Sequence, residues 1–458
     1  MKSAYGRKIP APDRELTSVE AGSPMGELLR RYWQPVCTSD ELRDVPRKVK
    51  ILCEEVVVFR DRKGRIGALE PHCAHRGTSL EWARVEEDGL RCCYHGWLYD
   101  VEGHCIDMPC EPADKRRMDI WQPAYRAMEY GGLVFLYMGP PEIEPPLLPM
   151  FDIIDTRHRD DVVLVGKRLW DDHALGYVRD CNWLQHFENA ADPYHLVVLH
   201  EMISGDQFKS VLTTGNWPTI WFDQTKLGMK YNLIRQLPNG LILERHSECI
   251  VPNIVLVANV HQRGAKPIWR EKATEVTWCV PVDNETVCGL SIVAWPKTSD
   301  GKPDPNWKAG TDTITDIRPG QLRTRPYEEK QRKPDDMEAQ EGQRRIAIHA
   351  LENRGHSDIG VSLLRRLLRE AVRAVKNGQE PQNLIRDPSA NHALSTSCWN
   401  TVMTPEQFDE MKALLPAEAV NEEGLFVDDV SLSSIEATAP MPVSLSYHFT
   451  DALAGAGV

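Results

Sequence analysis

The sequence predicts an α+β protein of two domains, and three observations carry that prediction. Short β-branched runs separated by turns fill residues 49–138. A proline-rich break follows, with Gly139-Pro140-Pro141, Pro145-Pro146 and Pro149. Beyond it, longer strand-like runs are flanked by a histidine-bearing helical segment and one strongly amphipathic helix. The break places the domains at 1–148 and 149–458.

Residues 23–33 predict a short helix, with Ser23 as its N-cap and Pro24 at the first helical position. Residues 49–59 are rich in β-branched side chains and predict one strand. Asp61-Arg62-Lys63-Gly64 is a turn signal, and 66–69 the return strand. In the second domain, 181–200 predict a helix. Strands are expected at 217–222, 230–237, 241–246, 250–261 and 274–282. Residues 301–334 are polar and proline-rich, as in a long loop. In 361–376, Leu363, Leu364, Leu367, Leu368, Ala371 and Val375 recur at helical spacing. Arg365, Arg366 and Arg369 lie elsewhere around that helix and are expected on a solvated or subunit-facing surface.

The chain has 458 residues, 41% hydrophobic and 26% charged, so extended disorder is excluded. Asp plus Glu number 67 against 54 Lys plus Arg, a net charge of -13 that argues against a nucleic-acid binder. It leaves room for a local basic pocket. The opening residues carry no apolar h-region, and no apolar run approaches the ~20 residues of a spanning helix. A soluble cytoplasmic protein is expected. Twelve scattered cysteines do not form a small disulfide framework. In a reducing compartment most are expected to be buried thiols, and any cluster of them is read first as metal ligands.

One such cluster is present. Residues 73–75 read Cys-Ala-His and residues 92–95 read Cys-Cys-Tyr-His. Each pair fits one loop that presents one thiolate and one imidazole. Two facing loops supply the two Cys and two His of a Rieske-type [2Fe–2S] centre. The candidate ligands are Cys73, His75, Cys92 and His95. Cys93 competes with Cys92, but only Cys92 leaves two residues before His95. Gly77 and Gly96 permit tight turns beside the cluster, and Trp97 is read as packing. The alternative is a zinc-scaffolded binding protein, but zinc motifs of this composition usually pair Cys with Cys and His with His. Cys105 and Cys110 have no matching His pair and are read as ordinary thiols.

A second constellation lies at Asp192-x₂-His195-x₄-His200. Two His and one carboxylate on one face of an octahedral iron leave positions open for O₂ and substrate. Five residues span ~140° around an ideal α-helix, so His195 and His200 share no face of a regular helix. A π-bulge or broken turn near Val197 brings both rings to one metal, and Pro193 already disturbs the helix. Asp192, three residues before His195, suits a hydrogen bond to that ring's other nitrogen. The third ligand comes from elsewhere. The richest candidate is the acidic pair Asp335-Asp336, which equally suits helix capping.

With CAHRG, CCYHGW and the NW…EN…D-x₂-H-x₄-H segment in this order, the chain resembles the large subunits of the Rieske non-haem iron aromatic-ring oxygenases. The resemblance spans nearly the whole chain. Cys93 stands where the family typically has proline. The resemblance implies a β-rich cluster domain and a helix-grip catalytic domain of antiparallel sheet and covering helices. It assigns Cys73, His75, Cys92 and His95 to the cluster, and His195 and His200 to a mononuclear Fe(II). The family's third ligand is an Asp five residues before a Glu, which Asp336 and Glu341 satisfy. It makes Asp192 the carboxylate that bridges the iron site of one subunit to the cluster of the next.

SPMGELLRRYWQPV, QEGQ and GHSDIGVSLLRRLLRE resemble the phthalate-type branch, which implies a homotrimer without a small subunit. The implied reaction is O₂-dependent O-demethylation of a methoxylated aromatic acid of the 5,5′-dehydrodivanillate type, releasing formaldehyde. Ring cis-dihydroxylation is the competitor. No G-x-G-x-x-G fingerprint is present, so electrons from NADH are expected through a separate reductase, with or without a ferredoxin. Arg245, seven residues before Pro252, resembles in placing an arginine that grips a substrate carboxylate; otherwise it is a surface strand arginine paired with Glu244 or Glu248. Lys209, Trp217 and Trp221 are further pocket candidates.

Overall fold

The computed structural model describes residues 4, 6–117, 119–168, 178–204, 217–258, 267–307 and 325–413. Strand Glu54–Arg60 explains the run Val56-Val57-Val58-Phe59. Val56 and Val58 face the main core, whereas Val57 and Phe59 face a second, smaller one. Both faces are buried, so the strand is continuously apolar. The expected single strand 49–59 is in fact a hairpin, Arg47–Ile51 paired with Glu54–Arg60. Its turn residues Leu52 and Cys53 have φ of 49° and 67°, which carry no glycine signature. Tertiary bonds hold them there, from Leu52 N to Pro281 O (2.9 Å) and from Cys53 N to Val282 O (3.0 Å). Ile66–Leu69 completes this three-stranded sheet.

Four short strands between Arg84 and Asp107 form a second sheet, and Gln34–Thr38, Leu133–Tyr137 and Arg126–Tyr130 a third. The smaller core gathers Val57, Phe59, Leu69, Leu80, Leu90, Tyr99 and Met108 around Cys73 and Cys92. Helix Pro24–Leu29 is capped by Ser23 Oγ, which accepts from Gly26 N at 3.2 Å.

The C-terminal region is built on a ten-stranded antiparallel sheet among the described residues. Its main path runs Val162–Arg168, Val287–Pro296, Glu275–Pro281, Ile254–Leu256, Ile242–Ile250, Gly228–Gln236, Thr219–Gln224. The expected strand 250–261 shrinks to Ile254–Leu256, because the chain reverses at Val251-Pro252-Asn253, where proline has no N–H to donate. Residues 259–261 of that expectation lie outside the described residues. Strand Val162–Arg168, at one end of this path, and its neighbour Val287–Pro296 were not anticipated.

Helix Ile359–Lys376 lies against one face of this sheet. Gly360 passes the Phe222 ring and the Ala191 carbonyl so closely that a Cβ would collide with both. Phe222 pairs in register with Tyr231, and Leu233 with Arg245. Phe222, Tyr231, Leu233, Leu243 and Arg245 therefore share the helix-facing side. Leu364, Leu367 and Leu368 are buried as the spacing predicts.

Arg365 corrects the expectation of a solvated arginine surface. It is buried and forks onto Glu188 (2.5 and 2.7 Å) and Glu352 (2.6 and 2.9 Å). Arg366 is exposed, and Arg369 reaches Asp13 and Glu15. Arg365→Met strands the buried Glu188 carboxylate and frees the more exposed Glu352, and a loss of about 3 kcal/mol is expected in urea unfolding. A change below about 0.5 kcal/mol would show that the fork contributes nothing. Among the described residues, no helix is long and apolar enough to cross a membrane.

Candidate functional site

The first centre is built from two loops with the same hydrogen-bond pattern. Cys73 N donates to Thr78 O and Gly77 N to Cys73 O; Cys92 N donates to Trp97 O and Gly96 N to Cys92 O. Gly77 and Gly96 both have φ of 75°, a left-handed turn that glycine adopts without penalty. Cys73 and Cys92 are buried, whereas His75 and His95 are half-buried with ring centroids 4.5 Å apart. Cys93 points to the surface and is not part of the set. Two inner sulfurs and two outer imidazoles fit the donor set of a [2Fe–2S] cluster, which they would hold.

Trp97 does more than pack: its ring stacks on His75 at 4.5 Å and 8°. Gln122 fixes the first loop, accepting from Ala74 N (2.7 Å) and donating to the carbonyls of Glu70 and His72. Tyr99 Oη lies 3.1 Å from Cys73 Sγ. A donor to a cluster sulfur stabilises the reduced, more negative state. Tyr99→Phe is therefore expected to lower the midpoint potential by on the order of 40 mV, about 1 kcal/mol for one electron. An unshifted potential in protein-film voltammetry would remove Tyr99 from this role.

The second centre begins at helix Trp183–Asn189, capped by Asn182. The expected continuous helix 181–200 breaks at Ala190–Pro193. It resumes as one α-turn, Tyr194–Val197, then passes into a π-helix, Val198–Ile203. Ser204 N donates to Leu199 O (3.0 Å), the five-residue bond of that geometry. Five residues then make about one turn, and the His195 and His200 rings come to 5.4 Å.

Helix Asp336–Glu341 supplies the carboxylate. Asp335 is its cap, accepting from Asp336 N (2.6 Å) while Glu338 accepts from Asp335 N (2.8 Å). Asp336 faces the histidines, with Oδ1 3.6 Å from His195 Nε2 and 3.4 Å from His200 Nε2. His195, His200 and Asp336 each place a donor atom within 4.8 Å of the others. Donors on one octahedral face lie about 3 Å apart, so the two His–Asp336 distances are within about half an ångström of those needed to hold Fe(II). Burial works against ionised Asp336, but the His200 hydrogen bond and the charges of His195, His200 and Arg179 prevail. They hold its carboxyl well below the usual range. Asn189 Nδ2 donates to Asp336 Oδ1 at 3.1 Å. The motif contained Asn189, but nothing in the sequence revealed this partner.

Asp192 differs from its expected contact. The acceptor for His195 Nδ1 is the Asp192 main-chain carbonyl, and its carboxylate stands 3.9 Å away. Asp192 Oδ1 accepts from Tyr194 N (2.9 Å). The carboxylate is 37% exposed in a cleft of about 590 Å³, shared with His195, Glu188, Arg344 and Arg365.

Arg245 is not a surface residue. It is buried on the helix-facing side of the sheet, opposite to Glu244 and Glu248. Nε donates to Tyr231 Oη (3.2 Å), Nη1 to Asn400 Oδ1 (3.1 Å) and Nη2 to the Ala258 carbonyl. Beside it, Tyr231, Leu233, Leu243 and Val402 form a separate apolar cluster. Trp221 lies on the opposite sheet face, in register with Asn232, and does not join that wall. Trp217 is exposed, and Lys209 lies outside the described residues.

A family model described as the Rieske [2Fe-2S] domain matches residues 32–126. The chain is 38% identical to the phenoxybenzoate dioxygenase subunit alpha of Ectopseudomonas oleovorans, over 83% of this chain and 89% of that one. It is 40% identical to the tert-butanol monooxygenase / tert-amyl alcohol desaturase oxygenase subunit of Aquincola tertiaricarbonis, over 81% and 78%. It is 30% identical to the 5,5′-dehydrodivanillate O-demethylase oxygenase subunit of a Sphingobium strain, over 83% and 84%. The fold is shared with NdmA of Pseudomonas putida CBB5, with a TM-score of 0.54, 20% identity, and 83% and 99% of the two chains covered.

Proposed function

Because the chain belongs to the Rieske non-haem iron oxygenases as an alpha subunit, we propose that it O-demethylates a methoxylated aromatic acid of the 5,5′-dehydrodivanillate type. The observation that carries this reading is Arg245, a buried guanidinium beside the apolar wall of Tyr231, Leu233, Leu243 and Val402. A planar fork grips a carboxylate in two bonds, and the wall takes an arene while excluding water. Two of the relatives are named for ether-bearing aromatic acids, phenoxybenzoate and 5,5′-dehydrodivanillate.

In this reading Cys73, Cys92, His75 and His95 hold the cluster, and His195, His200 and Asp336 hold the iron. When bound, the cluster supplies single electrons and the iron activates O₂. Asp192 stands in the open cleft, where the cluster-bearing tip of a neighbouring subunit in a homotrimer docks. Its carboxylate bridges the two centres, while its carbonyl fixes the His195 ring. Residues 1–148 carry the electron-receiving part and 149–458 the substrate-binding part. Electrons come from a separate NADH-dependent reductase, directly or through a ferredoxin.

Hydroxylation of a methoxy carbon gives a hemiacetal that collapses to a phenol and formaldehyde. The test is incubation with NADH, a reductase, and a panel of methoxylated and plain aromatic acids. Formaldehyde formed with a demethylated phenol supports the proposal. A cis-diol without formaldehyde replaces it with ring dihydroxylation. Oxidation of tert-butanol in preference to every acid replaces it with an aliphatic reading, which the 40% identical relative favours. Arg245→Met is expected to raise KM for the acid by on the order of 10–100-fold and to leave the methyl ester unchanged. Equal losses on acid and ester would remove Arg245 from carboxylate binding.

A further inference from the structure

We propose that the Arg235–Glu201 ion pair is a positioning device that holds the π-turn in register, so that His200 faces His195 and Asp336. The inference rests on the reading that His200 holds the iron.

A π-turn needs external support. It is rare, and the α-helical alternative satisfies the same backbone groups. Among the described residues apolar packing supplies little of that support. Of the six residues Val198–Ile203, His200 alone is buried, while Val198, Met202 and Ile203 are exposed. Beyond the His200–Asp336 contact itself, two polar ties are seen among the described residues. Ser204 Oγ donates to the Pro334 carbonyl, joining the end of the turn to the segment that carries Asp336. Glu201, next in sequence to His200, points at Arg235, with Oε2 3.8 Å from Nη2.

Arg235 is built into the rigid sheet. It lies on strand Gly228–Gln236, on the same face as Tyr231 and Leu233, with its side chain 1% exposed. Burial penalises its charge, and Glu201 opposes that penalty. A desolvated guanidinium held by a sheet is a fixed anchor for a carboxylate on the turn. Relaxation of the turn to α-geometry would restore the ~140° between His195 and His200 and take His200 away from Asp336. The pair touches neither iron nor substrate, so its effect passes through His200.

The test uses the full chain with its cluster assembled. Mononuclear iron is removed with a chelator, and Fe(II) affinity is measured by competition with a chromogenic chelator. The visible spectrum of the cluster reports folding. Arg235→Met is expected to weaken Fe(II) binding by about 10–100-fold with the cluster spectrum kept. The reversed pair, Glu201→Arg with Arg235→Glu, is expected to recover most of that loss. Fe(II) affinity of Arg235→Met within about two-fold of the parent overturns the inference, as does a reversed pair no better than Arg235→Met. If Arg235→Met does not accumulate, Glu201→Gln, whose parent side chain is partly exposed, is read in the same way. His200→Ala separates the two layers. Retained iron in that variant defeats the site reading itself; lost iron there, with Arg235→Met unaffected, defeats the ion-pair inference alone.

Discussion

Asp192→Asn keeps both metals and loses steady-state turnover by on the order of 100-fold. The substitution preserves the side chain's shape and one acceptor oxygen. The Asp192 contacts that build the local turn also survive: Tyr194 N still meets an oxygen, and the main-chain carbonyl still receives His195 Nδ1. What disappears is the negative charge in the open cleft. That charge has no partner within salt-bridge distance among the described residues other than His195. A structural role therefore predicts a mild effect, whereas a bridging role predicts a large one. The discriminating measurement is rapid mixing. The chemically reduced variant should still turn over once within each subunit that holds a reduced iron, yet reoxidise its cluster slowly. Cluster reoxidation at the parent rate would remove Asp192 from the electron route.

His200→Ala abolishes activity and mononuclear iron together, leaving the cluster's visible absorption unchanged. The two centres share no side chain, and Cys73 and Cys92 belong to the smaller core, of which His195, His200 and Asp336 are no part. His200 is buried, 3.4 Å from Asp336. Two donors remain after its loss, too few to hold Fe(II) against a chelator. Metal analysis should fall from three irons per chain to two. Loss of the cluster colour in the same variant would mean that the sites are not separate.

The meeting of Cys73, His75, Cys92 and His95 was legible because each Cys and His pair sits on one short loop. The need for a π-turn was legible too, since five-residue spacing is incompatible with one face of an α-helix. Asp336 was preferred to Asp335 only through family spacing, because a carboxylate some 136 residues from His200 leaves no local trace. Tyr99, Asn189 and Arg235 were invisible for the same reason: each acts on a partner from another element. The merged strand at 49–59 failed because its turn uses Leu52 and Cys53, which look like strand residues and are bent by distant carbonyls. Arg365 was misplaced because helical periodicity counts apolar residues, and it says nothing of a buried charge met by two carboxylates.

The cluster-bearing segment leaves and re-enters the fold at one point. Glu70 N donates to Pro123 O at 2.8 Å, and Tyr125 N to Ala68 O at 2.8 Å. Residues 70–123 therefore form a cassette with adjoining ends, resting on a floor of Val57, Phe59 and Leu69 supplied by its host. Chain ends this close are the condition under which inserted segments are exchangeable. The seam for building chimaeras between relatives of different redox potential is thus this pair of cuts. A cut at the proline-rich break would instead divide the continuous core shared by Leu28, Leu136 and Trp278. Electron supply and substrate choice become separately interchangeable parts of one polypeptide.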